Sequence, residues 1–208
     1  MRWQVHSEKT LYADPWVDVR VADVELPDGR HLDHRLIRTA PTAGAVVTDD
    51  QDRVLLIWRH RFITDSWGWE IPLGQIDEGE MPQDAAARRV EAETGWRPGL
   101  LRPLLAVQPA NGISDNLHHV YRGESATYIG PPSDPREADR VEWVPVSRIR
   151  RLIDNGEIVC GTSLSSLLYL LIDCLPPGGA TAGPALGFET TFDPTRPILL
   201  RDFPGLQI

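Results

Sequence analysis

Gly74–Trp96 reads G-Q-I-D-E-G-E-M-P-Q-D-A-A-A-R-R-V-E-A-E-T-G-W, and this stretch decides how the rest of the chain is read. Pro82 can open a helix, because its missing N–H is one of the orphan donors of a first turn. Asp84 suits that positive end. Ala85, Ala86 and Ala87 favour continuation, and Gly95 after Thr94 is a C-terminal stop. The spacing predicts a loop over 74–81 and a helix over 82–94. On that helix, positions 89, 92 and 93 share one face. Three carboxylates there would make an oxygen site for Mg²⁺ or Mn²⁺, ions that offset pyrophosphate charge and activate water. This face carries Arg89, Ala92 and Glu93. One carboxylate does not build the metal site alone.

Composition bounds the partners. The chain has 208 residues, 41% of them hydrophobic, enough for one cored domain with appendages. Its net charge of -9 argues against a nucleic-acid polymer, which needs a basic face. A small nucleotide needs only a local cation. Cys160 and Cys174 are expected as buried free thiols in a reducing cytoplasm. Neither a membrane span nor a secretory leader is expected from the hydropathy pattern.

Outward from the helix, alternation predicts a β-hairpin over 16–38, turning at P-D-G-R, and strands over 43–48 and 54–58. W-G-W-E-I-P-L-G then feeds the 74–81 loop. Strands are expected over 100–107, 117–121 and 140–146, and a short helix over 147–155. An apolar helix is expected over 163–174, capped by Thr162 or Ser163. Strands interleaved with helices imply a layered α/β core. Residues 176–208 hold six Pro and five Gly and read as a tail without its own core, docking through Ile198, Leu199, Leu200 and Phe203. The expected division is residues 1–40, a β-subdomain; 41–175, the layered α/β domain; and 176–208, the tail.

The spacing of Gly74, Glu80, Arg88, Val90, Glu93, Gly95 and Trp96 resembles the Nudix box, G-x5-E-x7-R-E-U-x-E-E-x-G-U, with U a bulky apolar residue. Arg89 and Ala92 stand where the pattern has Glu. D-P-W-V-D-V-R-V-A-D-V-E-L-P-D-G-R, V-L-L-I-W-R-H-R-F, W-E-I-P-L-G and E-A-D-R-V-E-W-V-P-V resemble the ADP-ribose pyrophosphatase branch of that superfamily. The resemblance covers roughly residues 10–175. It implies a three-layer α/β/α Nudix sandwich with an N-terminal antiparallel β-subdomain, and a homodimer formed through that subdomain. It also implies cleavage of a nucleoside diphosphate sugar at its pyrophosphate with Mg²⁺ or Mn²⁺, here bound weakly.

Gly74, Glu80, Arg88 and Gly95 are the expected frame of the box, with Glu80–Arg88 either shaping the loop or forming a surface ion pair. Glu93 is a metal ligand and catalytic group, or the i,i+4 partner of Arg89. Arg89 is either drift in an unselected site or a fork for phosphate oxygens. Glu70 resembles a position beside the metal, or pairs with Arg59 or Arg61. Those two arginines and Asp115 are the remaining substrate-binding candidates. Glu137 lies where relatives carry a mobile catalytic Glu, or is a solvated loop charge. A-N-G-I-S-D-N resembles a loop that reads S-P-G-x-S-D-E in relatives, with Asn111 for Pro and Asn116 for Glu. His118 and His119 face opposite sides of a strand and form no metal pair. Trp67 or Trp69 either joins the core or stacks on a base. The leading expectation is a pyrophosphohydrolase for an ADP-ribose-like compound. The alternatives are a non-hydrolytic diphosphate-binding module or a Nudix-fold lyase or isomerase.

Overall fold

The computed structural model describes residues 2–134 and 136–173. The expected docking of residues 176–208, and Cys174, lie outside the described residues. The chain begins with β1 (Gln4–Ala13), β2 (Asp18–Glu25) and β3 (His31–Arg38), an antiparallel sheet in that order. The expected hairpin is β2–β3, paired from Asp18↔Arg38 to Glu25↔His31. β1 is an addition to the expectation. Its sequence, Q-V-H-S-E-K-T-L-Y-A, has no sustained apolar alternation, and all ten residues are exposed. Backbone pairing with β2 defines it, with irregularities at Val5/Ser7 and Thr10/Tyr12.

Next come β4 (Thr42–Val47), β5 (Arg53–Arg61), β6 (Ser66–Glu70) and β7 (Leu73–Gln75), then α1 (Pro82–Thr94). β8 (Trp96–Pro98) and β11 (Ala126–Tyr128) pair antiparallel. Both are three-residue strands, absent from the sequence reading because so short a run shows no periodicity. β9 (Arg102–Val107), β10 (His118–Gly123) and β12 (Arg140–Pro145) complete the strands. α2 (Val146–Asp154) and α3 (Gly161–Asp173) follow. One sheet has the order β7-β4-β10-β9, with β4 and β10 parallel; another has the order β12-β5-β6.

β4 and β5 are buried on both faces, which explains their near-continuous apolar runs. On one side Ala43, Ala45, Val47 and Leu55 pack with Ala85, Ala86 and Val90 of α1. On the other, Val46, Val54 and Leu56 pack with Ile149 and Leu152 of α2 and Leu167 and Leu170 of α3. Helix, sheet and helix thus form the expected three layers. Leu55, Leu56 and Ile57 are fully buried. Each contributes roughly 1.5–3 kcal/mol of apolar burial, which fixes the strand that carries Arg59 and Arg61.

Two local expectations need correction. α3 starts at Gly161, so Thr162 and Ser163 lie inside it. Their hydroxyls serve other elements: Thr162 Oγ1 sits 2.8 Å from His118 Nδ1, and Ser163 Oγ accepts from the Ile71 amide at 3.1 Å. Cys160 is half-buried, at the loop entering α3, because its neighbours Val159 and Gly161 are at the surface.

Candidate functional site

α1 and the loop before it are built as the residues dictate. Pro82 is at the helix start, Asp84 lies in the first turn, and Gly95 ends the helix in the left-handed region at φ 75°. Gly95 N–H closes on Glu91 O at 2.9 Å. A Cβ at Gly95 would also lie 2.0 Å from Gly130 O, so both the backbone angle and the neighbour require glycine.

Glu80 and Arg88 hold the loop. Arg88 Nε and Nη2 donate to the two Glu80 oxygens at 2.7 and 2.6 Å. Glu80 Oε2 also accepts the Asp77 amide at 3.0 Å. These bonds, led by Arg88, pull the Glu80 carboxyl down to about 2. The Gln75 carbonyl accepts Nη2 of Arg88 at 3.3 Å and Nη2 of Arg89 at 3.4 Å. That acceptor was not foreseen; a backbone carbonyl leaves no side-chain signal in the sequence.

Arg89 lies flat against Gly74. A Cβ there would come within 2.3 Å of Arg89 Nε. That Nε is buried with no hydrogen-bond partner among the described residues. One turn on, Glu93 is 2% exposed and its Oε2 is also buried without a partner. Burial pushes the Glu93 carboxyl up to about 7, against the opposing pull of Arg59 and Arg89. The nearest cation is Arg59, whose Nη1 is 3.9 Å from Glu93 Oε2.

β5 delivers Arg59 and Arg61. Arg59 is only 8% exposed, and it also contacts the Glu137 carboxylate on the loop before β12. Burial, with Arg61 nearby, lowers its pKa. Arg61 Nε and Nη2 donate to both oxygens of buried Glu70 at 2.9 and 2.5 Å. Of the alternatives for Glu70, the structure shows the ion pair with Arg61. Glu137 contacts Arg59 while its side chain stays 40% exposed. Asp115 lies in a different cluster, accepting from Arg38 Nη1 at 2.6 Å. Asn116 turns its amide to Thr39 and Ala40. Trp69 is buried; Trp67 is 48% exposed and stacks on Trp58 with ring centroids 6.2 Å apart.

As arranged, this donor set does not fit a divalent cation. Glu70 and Glu137 are engaged by arginines, position 92 offers no side-chain oxygen, and Arg89 brings a positive charge. Among the described residues, Glu93 Oε2 is buried without a hydrogen-bond partner. A +2 ion beside these guanidiniums meets repulsion in a poorly screened setting. The arrangement suits an anion: forked donors, partly desolvated, around one carboxylate near neutrality.

Comparison with known proteins agrees with the fold. Residues 38–159 match the family described as NUDIX domain, and residues 3–37 match the nucleoside diphosphate sugar hydrolase N-terminal domain. The chain belongs to the Nudix family, whose hydrolases generally use a divalent metal. It is 39% identical over 171 residues to a CMP-5'-(N-acetyl-N-hydroxy-3-aminopropyl)phosphonate hydrolase from Streptomyces rubellomurinus, covering 82% of this chain and 83% of that one. It is 24% identical over 169 residues to an ADP-ribose pyrophosphatase from Bacillus subtilis, covering 79% and 90%. A crystal structure of an ADP compounds hydrolase shares the fold at a TM-score of 0.72 and 17% identity, covering 83% of this chain and 94% of that one.

Proposed function

We propose that this chain hydrolyses a nucleotide joined to a second group through a P–O–P anhydride, in the nucleoside diphosphate sugar class. The observation that carries the reading is the pair of buried, unpartnered polar atoms one turn apart, Arg89 Nε and Glu93 Oε2. One wants an anion and the other wants a proton or a cation. A diphosphate laid between them gives Arg89 its oxygen, and substrate oxygens compete with Glu137 for Arg59. Arg61 stays paired with Glu70 and adds charge at the rim. Glu93, near 7, is matched to accept a proton from an attacking water at neutral pH. The water oxygen bonds to phosphorus, the bridging P–O bond breaks, the proton passes to Glu93, and the second phosphorus group leaves as an anion.

Guanidiniums here carry charge that the helix carboxylates would otherwise manage through a metal, so Mg²⁺ or Mn²⁺ binds weakly on this reading. The name of the Streptomyces relative puts a phosphonate on a cytidine monophosphate. Such a mixed anhydride offers the same P–O–P linkage as a nucleotide sugar and belongs in the same screen. A homodimer is part of the proposal. β1 is exposed throughout, and Trp3 just before it, Val5, Leu11 and Tyr12 along it, and Trp16 just after it are exposed apolar groups.

The test is a panel of nucleoside diphosphate sugars and cytidylyl phosphonates, assayed with Mg²⁺, with Mn²⁺ and with EDTA. Turnover that largely survives EDTA and falls in Arg89→Ala supports the reading. Strict metal dependence with tight Mg²⁺ binding overturns it. Thermal stabilisation by a diphosphate without turnover would favour the binding-module alternative, which the unpartnered Arg89 Nε also suits.

A further inference from the structure

The N-terminal sheet holds a cluster of different chemistry. Glu25 on β2 and His31 on β3 are direct cross-strand partners. Side chains of such partners project from the same face. His6 on β1 falls in the irregular register between Val5 and Ser7, opposite the same end of β2. Its Nε2 lies 2.7 Å from Glu25 Oε2, and its ring centroid is 5.0 Å from that of His31. One ligand atom from each of His6, Glu25 and His31 falls within 4.8 Å of the other two. Among the described residues this is the sole grouping of three such side chains, and it does not include Glu93.

We propose that His6, Glu25 and His31 form a binding site for a transition-metal ion of the Zn²⁺ type. Two imidazoles and one carboxylate are a donor set that Zn²⁺ accepts, with a fourth position left to water. Nitrogen donors disfavour Mg²⁺, which selects oxygen. Asp23 supplies the outer support: its Oδ1 is 2.7 Å from His31 Nδ1. A carboxylate in that place fixes the tautomer and raises the basicity of the other ring nitrogen. Asp23 and Glu25 together carry the two negative charges that balance a dication bound to neutral histidines. At 2.7 Å, His6 Nε2 and Glu25 Oε2 share a proton; on binding, that proton leaves and both atoms turn to the ion. His6, Glu25 and His31 are partly exposed, at 35%, 34% and 50% of their side chains, so the rotation is unobstructed by a core.

The consequence is mechanical. The backbone of β1 pairs with β2 alone, and Glu8 of β1 accepts from Arg38 Nη2 of β3 at 2.6 Å. An ion shared by His6, Glu25 and His31 ties the first strand to the third as well.

The experiment uses the full chain without a histidine tag. Zn²⁺ is titrated calorimetrically, and Co²⁺ is followed by its visible ligand-field bands. One saturable site per chain is expected, with Co²⁺ bands typical of four or five ligands, unaffected by millimolar Mg²⁺. His6→Gln and His31→Gln should each abolish the bands. Asp23→Asn should weaken binding about 10- to 100-fold. Glu93→Gln should leave Zn²⁺ binding unchanged, which separates this site from the one around α1. Circular dichroism of each variant checks the fold, and the substituted side chains lie at the surface, so folding is retained. Absence of a saturable site, or Co²⁺ bands that persist in both histidine variants, overturns the proposal.

Discussion

Replacing Glu93 by Gln tests the electrostatic core of the site. Glu93 is 2% exposed, and burial raises its carboxyl from an ordinary 4.5 to about 7. The folded chain therefore holds the proton more tightly than the unfolded chain. The stability from the protonated form is fully present below 4.5 and is lost as pH rises through about 7. A rise of ~2.5 in pKa, at about 1.4 kcal/mol per pH unit, makes the ionised carboxylate cost about 3 kcal/mol. Glutamine keeps the size without the charge. At pH 8 the Glu93→Gln protein should melt higher than the native chain, by about 6–12 °C for a domain of this length. At pH 4.5 the gap should close. Hydrolysis should fall, because the amide accepts no proton from water. Thermal melts of both proteins from pH 4.5 to 8 measure the effect. A gap that does not change with pH, or a variant less stable than native at pH 8, refutes the reasoning.

Other expectations follow from the same geometry. The double change Arg89→Glu with Ala92→Glu should create Mg²⁺ binding that the native chain largely lacks, since it removes a repulsion on the order of several kcal/mol and adds two carboxylates; calorimetric Mg²⁺ titration of both proteins checks it. Gly95→Ala should destabilise by more than about 2 kcal/mol, because the left-handed angle and the Gly130 carbonyl both oppose a Cβ; urea unfolding reads this directly. Light scattering at micromolar concentration should give a dimer, and removal of residues 2–13 should give a monomer; a monomeric native chain sinks the proposed use of β1.

The helix at the centre was legible to both ends, because Pro82 and Gly95 punctuate it chemically and the alanines between have one preference. The central strands were legible because two-sided burial forces unbroken apolar runs. β1 was not, since its pairing is a matter of backbone alone. Ser163 looked like a cap, yet it was recruited by the Ile71 amide, 92 residues away in sequence. In the site, the residue types of Glu80 and Arg88 sufficed to expect their pairing. The choice of partners for Arg59 and Arg61 was open, because only the β5–β6 register and the return of the 137 loop decide which carboxylate each one meets. The isolation of Glu93 is a property of the assembled layers, which no local pattern encodes.

Gly74 separates two jobs that share one helix. Glu80 and Arg88 brace the loop with their own bonds, and neither depends on the side chain at position 89. Position 89 faces a residue with no side chain, so the backbone makes room for a guanidinium as wide as that of Arg89. A shorter acidic group would fit the same space. The scaffold can therefore exchange one catalytic strategy for another while its folding instructions stay the same, an arrangement that lets chemistry diverge within a lineage without first unmaking the architecture.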